Sequence, residues 1–112
     1  MGTGAARSTD GAAFAIAVTS SLSAAVDLGT KWNRVKLENE NGFRIHFAMA
    51  DDAADITSID VFSATPTVAE DADQYCGANR DEFFEKTGRY IKFRTTSGSG
   101  VIYGLRYQGV NG

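Results

Sequence analysis

The stretch Arg34-Val35-Lys36-Leu37-Glu38-Asn39-Glu40-Asn41-Gly42-Phe43-Arg44-Ile45-His46-Phe47-Ala48-Met49 reads as two alternating runs around a turn signal. Val35 and Leu37 alternate with Arg34, Lys36 and Glu38, while Phe43, Ile45, Phe47 and Met49 alternate with Arg44, His46 and Ala48. A period of two sends successive side chains to opposite faces of a strand, so each run has one apolar and one polar face. Asn41-Gly42 between them suggests a hairpin. A two-residue turn would set Leu37 against His46 and Lys36 against Phe47, apolar against polar. A three-residue loop sets Leu37 against Ile45 and Val35 against Phe47. Because a one-residue slip turns every side chain over, burial selects the second register. It predicts a left-handed Gly42 and an exposed Glu38–Arg44 pair worth a few tenths of a kcal/mol.

The same alternation recurs on both sides. Phe14, Ile16 and Val18 share a face within residues 14–19, and a short segment at 24–28 ends at Gly29. Residues 1–12 are small, polar and Gly-rich, which predicts a flexible N-terminal arm carrying Arg7, followed by one domain over 13–112. Residues 50–55 predict a polar connection with one helical turn. A strand is expected at 56–62, with Ile59 and Val61 inward, and then a long loop over 63–79 containing Pro66. Phe83 and Phe84 open the final β region. There, residues 90–94 and 101–107 would form a hairpin about Ser97-Gly98-Ser99-Gly100. In that reading Ile91 and Phe93 share a face with Val101, Tyr103, Leu105 and Tyr107, and Lys92, Arg94 and Arg106 lie outside. Seven or eight short strands without a useful amphipathic helix predict an all-β antiparallel β-sandwich of jelly-roll type, with a small β-barrel as the alternative.

Charge divides the chain into three zones. Residues 48–79 hold seven acids (Asp51, Asp52, Asp55, Asp60, Glu70, Asp71 and Asp73) and no Lys or Arg, whereas the flanks are net basic. At 112 residues the chain suits one domain. Its lone Cys76 allows no internal disulfide and points to cytosolic synthesis. The apolar run 11–18 is too short for a secretory signal, Ala6 departs from the myristoylation pattern, and no run reaches membrane-spanning length. A soluble chain is expected.

Candidate chemistry is sparse. His46 is the single histidine; on the polar face of its strand it has neither a second His nor a Cys motif beside it, which leaves a solvated or interface side chain. Cys76 lacks an evident base and reads as a partly covered free thiol. The clusters Asp51, Asp52, Asp55 and Glu70, Asp71, Asp73 offer hard oxygen ligands for calcium, but neither matches a calcium-loop spacing. Glu82 and Glu85 carry no sign of a raised pKa. Arg89-Tyr90-Ile91-Lys92-Phe93-Arg94 interleaves aromatic and basic residues, yet a net charge of −3 argues against nucleic acid. No enzyme, cofactor or membrane role is expected. The outward cations Arg34, Lys92, Arg94 and Arg106, with Arg7 on the arm and Trp32 as an anchor, are the candidate partner-binding residues. Their charge, opposite to that of the acidic zone, suggests head-to-tail self-association, with a homotrimer expected.

The order of these pieces resembles small virion-associated proteins of tailed bacteriophages. The residues that carry the likeness begin with Trp32-Asn33-Arg34-Val35-Lys36-Leu37-Glu38-Asn39 and Gly42-Phe43-Arg44-Ile45-His46-Phe47. They continue in Glu82-Phe83-Phe84-Glu85, Arg89-Tyr90-Ile91-Lys92-Phe93 and Gly100-Val101-Ile102-Tyr103. The pattern is most similar to the head decoration, or cement, class. That resemblance implies a β-sandwich that trimerises on the capsid exterior and ties major capsid protein subunits together after synthesis in the host cytoplasm. The loop 63–79 has no counterpart in that class. The alternative from a different class is a small tail or receptor-binding module for host-surface carbohydrate.

Overall fold

The computed structural model describes residues 13–59 and 75–109. The arm 1–12 with Arg7, the acids Asp60, Glu70, Asp71 and Asp73, and residues 61–62 of the expected strand lie outside the described residues. Eight strands follow in order: β1 (Ala13–Val18), β2 (Val26–Asp27), β3 (Arg34–Asn39), β4 (Ile45–Ala50), β5 (Tyr75–Cys76), β6 (Arg80–Glu85), β7 (Tyr90–Arg94) and β8 (Gly100–Tyr107). They form two antiparallel four-stranded sheets. Sheet A has the order β1-β8-β3-β6 and sheet B the order β2-β7-β4-β5. The sheets pack face to face as a β-sandwich. Inward side chains of sheet A (Val18, Val35, Leu37, Ile102) meet those of sheet B (Ile45, Phe47, Ile91, Phe93) in one core.

The strand partners nest: β1 with β8, β2 with β7, β3 with β6, and β4 with β5. Successive strands from β1 to β4 therefore alternate between the sheets, and this overturns both expected hairpins. β3 pairs with β6 and β8, whereas β4 pairs with β5 and β7. Val35 and Leu37 meet Ile45 and Phe47 across the core instead of beside them in one sheet. Either arrangement buries the same alternating residues, so the alternation does not choose between them. The 40–44 connection is an arch held by Asn39, which is 1% exposed. Its Nδ2 donates to the carbonyls of Phe43 (2.7 Å), Gly77 (3.0 Å) and Cys76 (3.3 Å), and its Oδ1 accepts from the Asn41 backbone N–H (3.0 Å). Gly42 is not left-handed. The positive-φ residues among those described are Gly29, Asn79 and Gly98, and a Cβ on Gly42 would meet nothing within 4 Å.

β7 and β8 likewise belong to different sheets, and the parity of β8 is the reverse of the expected one. Gly104 and Arg106 lie opposite the inward Leu37 and Val35 of β3, so Ile102, Gly104 and Arg106 point inward. Gly104 is small for a reason. A Cβ there would stand 2.1 Å from Cζ of Phe14, whose ring fills that space from the neighbouring strand. Arg106 reaches the end of the sandwich, where it donates to the carbonyls of Asp27 on β2 (2.7 Å) and Ala13 on β1 (3.3 Å).

A cover lies over sheet B. After β4, Asp52 caps a 3₁₀ turn at Ala53–Asp55 by accepting from the Ala54 N–H, in agreement with the expected helical turn. Residues 56–59 are not a strand; they run against the outward side chains of β7. Lys92 donates to the Ile56 carbonyl (3.0 Å) and Arg94 to the Ile59 carbonyl (3.2 Å), and Ile56 and Ile59 are buried.

Candidate interaction surface

Sheet A has no such cover among the described residues. Register places Arg34, Lys36 and Glu38 of β3, Asp81, Phe83 and Glu85 of β6, and Val101, Tyr103, Leu105 and Tyr107 of β8 on its outer face. The exposed large hydrophobic residues of the described chain are Phe83 (59%), Tyr103 (44%) and Val101 (37%), and all three lie on this one face. β1 adds the exposed Ala13, Ala15 and Ala17 beside Leu105, Tyr103 and Val101. Exposed apolar side chains are ordinary when scattered, but gathered on one sheet face they make it the candidate interaction surface.

A charged cluster sits in the middle. Lys36 Nζ lies 3.1 Å from Glu38 and 3.9 Å from Asp81, and 5.8 Å from the centroid of the Phe83 ring. Phe83 and Tyr107 meet edge to face with centroids 6.1 Å apart. The face therefore has aromatic anchors around a polar centre that fixes orientation, the composition of a protein-binding patch.

Most of the residues singled out in the sequence stand elsewhere. Of Trp32, Arg34, Lys92, Arg94 and Arg106, Arg34 alone is on this face, its stem packed against Gly109. Trp32 precedes β3 in a turn, half-buried, with Lys31 Nζ 4.7 Å from its ring centroid. Lys92 and Arg94 do not form an open basic stripe. They hold residues 56–59 in place, and Arg94 also donates to the Ser20 carbonyl (2.8 Å). Arg106 joins the two sheets. These cations are engaged with backbone carbonyls of their own chain, and the rationale for a head-to-tail charged ring loses its basic half. Val101 and Tyr103 were missed because their exposure depends on the parity of β8, and Phe83 because its side depends on the pairing of β6 with β3.

His46 corrects another expectation. It is on the outward side of β4 but fully buried, beside Tyr75 with ring centroids 5.6 Å apart. Burial, then the positive charges of Arg44 and Arg94, lowers its pKa to about 4, so it is neutral at pH 7. Cys76 is also fully buried, not partly covered. Burial, followed by the charge of Glu82, pushes its thiol up to about 12, which keeps it protonated and inert. Asp27 accepts two hydrogen bonds from Arg89 and one from the Gly29 N–H, which hold its carboxyl down at about 2. Among the described residues no group of three or more His, Cys, Asp or Glu is placed to hold a metal, and no helix is long and apolar enough to cross a membrane.

One cleft of about 910 Å³ opens between the sheets, lined by Phe43, Arg44, Tyr75, Arg80, Glu82 and Phe84 among others. The Arg44 guanidinium lies 4.8 Å from the centroid of the Tyr75 ring, and Glu82 accepts from the Gly77 N–H at 2.7 Å. No family model, curated protein or solved structure matches this chain.

Proposed function

We propose that this chain is a structural protein of a tailed-phage virion, a jelly-roll decoration module that fastens to the capsid exterior through the outer face of sheet A. The observation that carries the reading is the gathering of Phe83, Tyr103 and Val101 on one uncovered sheet face. The nested strand order supports a jelly roll, an architecture common to viral capsid and lectin domains. The likeness of residues 14–107 to small virion-associated proteins supplies the phage context, and fold analogy alone would not. The partner is the major capsid protein, met by the aromatic residues around Lys36, Glu38 and Asp81.

The test is attachment. Purified chain added to phage heads that lack it should bind at a fixed stoichiometry, and Phe83→Asp combined with Tyr103→Asp should abolish binding while leaving thermal unfolding unchanged. Heads that take up no protein, or that take up the double variant equally well, would overturn this reading. A second reading rests on the cleft: Tyr75 and Phe43 offer ring faces, and Arg80 and Glu82 offer hydrogen bonds, to a host-surface carbohydrate. Binding to host polysaccharide that Tyr75→Ala removes and Phe83→Asp leaves intact would favour it.

A further inference from the structure

The four sheet edges are not equally guarded. β6 carries Arg80, Asp81, Glu82 and Glu85 within six residues. β2 and β5 are two residues long. Charge and brevity are the usual means by which an edge avoids pairing with another chain. β1 has neither. It is six residues of Ala-Phe-Ala-Ile-Ala-Val, with no charge, no proline and no bulge, and among the described residues it pairs with β8 alone.

A second observation lies beneath the same edge. Phe14 and Ile16 point into the sandwich yet stay half-buried, as does Val26 on β2. β1 and β2 border the same side of the molecule, since Arg106 donates to carbonyls on both. The core is thus incompletely closed where the unguarded strand runs, as it also is at Phe43, Met49 and Phe84.

We propose that β1 is the seam of a homodimer, in which two copies pair β1 with β1 antiparallel about a two-fold axis perpendicular to sheet A. The two four-stranded sheets then become one of eight strands. The strand's own pattern fits a second copy of itself. Antiparallel pairing about such an axis sets residues of like parity opposite each other, so Ala13, Ala15 and Ala17 face their counterparts outside. Phe14, Ile16 and Val18 face theirs inside. No like charges meet, and the half-buried Phe14 and Ile16 gain cover. The interface is isologous and closes on itself, which leaves β6 and its charges as the outer edges. The outer faces of both sheets A lie on one side of the dimer, so the seam doubles the proposed attachment face but does not depend on the attachment role.

Sedimentation of the full chain in the absence of any phage particle tests the seam. A species of twice the 12.0 kDa chain mass is expected. Ala15→Lys combined with Ala17→Lys places like charges across the seam in any of its registers, at positions already exposed in the single chain. The variant should weaken the dimer about tenfold or more. Hydrogen exchange gives an independent reading. Every amide of β1 should be protected in the wild type, and only those directed at β8 in the variant. A monomer at all concentrations, a trimer, or a dimer indifferent to the two lysines would overturn the proposal. So would full protection of β1 in a monomer, which would assign its edge to another part of the same chain. Should the lysines prevent folding, the wild-type mass and exchange pattern decide.

Discussion

On sheet B the outward Lys92 and Arg94 of β7 lie against residues 56–59, whereas on sheet A the outward side chains of β3, β6 and β8 have no such cover among the described residues. The consequence for individual groups is large. Two cations on sheet B, Lys92 and Arg94, donate to carbonyls of the covering segment, and His46, buried on the same face beside Tyr75, is neutral at pH 7. On sheet A, Phe83 and Tyr103 are largely exposed and Lys36 forms exposed ion pairs. Outward residues on a sandwich are not surface residues until something is known of what crosses them. The basic stripe of β7 was expected to bind a partner, and it binds its own chain. The apolar stripe of β8 was expected in the core, and Val101 and Tyr103 of that stripe are exposed on the outer face of sheet A.

Removing the cover should have the largest effect. Ile56→Asp places a carboxylate at a position that is 4% exposed, and should cost about 3 kcal/mol or more in urea unfolding. Next comes the arch that sends β3 and β4 to different sheets. Asn39→Ala strips three carbonyls of their donor and should cost about 2–3 kcal/mol by the same measurement.

Acid probes the covered face more gently. The His46 pKa of about 4 in the folded chain lies below its ordinary 6.5, so the unfolded chain takes up the proton first. Stability should be at its full value above pH 6.5 and fall as pH drops through about 4, by something on the order of 2 kcal/mol. His46→Gln should flatten that part of the pH–stability curve, and an unchanged slope would assign it to other groups.

Two substitutions should do almost nothing to stability. Phe83→Ser on the open face should change it by no more than about 0.5 kcal/mol while weakening attachment. Gly42→Ala should be equally mild, since its Cβ enters open space at an ordinary φ. A loss above about 1 kcal/mol there would instead favour the hairpin with a left-handed glycine.

Strand positions were legible in the sequence because alternation is a local property. The runs around Val35, Ile45, Ile91 and Ile16 all fall within strands. Pairing was not legible, because the inward sets of β3 and β4 are buried equally well side by side or face to face. β8 misled for a particular reason. Its inward positions include Gly104 and Arg106, which resemble surface residues until Phe14 is seen to fill the space over the glycine and Asp27 to accept from the arginine. The candidate face was hidden with it, since four apolar residues in alternation look like core. The 56–59 cover carries no periodic signal at all; its role comes from two carbonyls that accept from Lys92 and Arg94.

The nesting of the strands has a consequence in time. Of the eight strands β1 is made first, and the strand that completes it, β8, is made after the other seven, so that Ala13 finds Leu105 only once all of them have been synthesised. The chain between β1 and β8 must close before β1 is hydrogen-bonded at all, which places this molecule among slow folders, with refolding expected in milliseconds to seconds. Throughout translation Ala-Phe-Ala-Ile-Ala-Val stays an uncharged ribbon without its partner. Nascent chains stalled before residue 100 should therefore be the form that chaperones hold, and release of the C-terminal strand the event that sets them free.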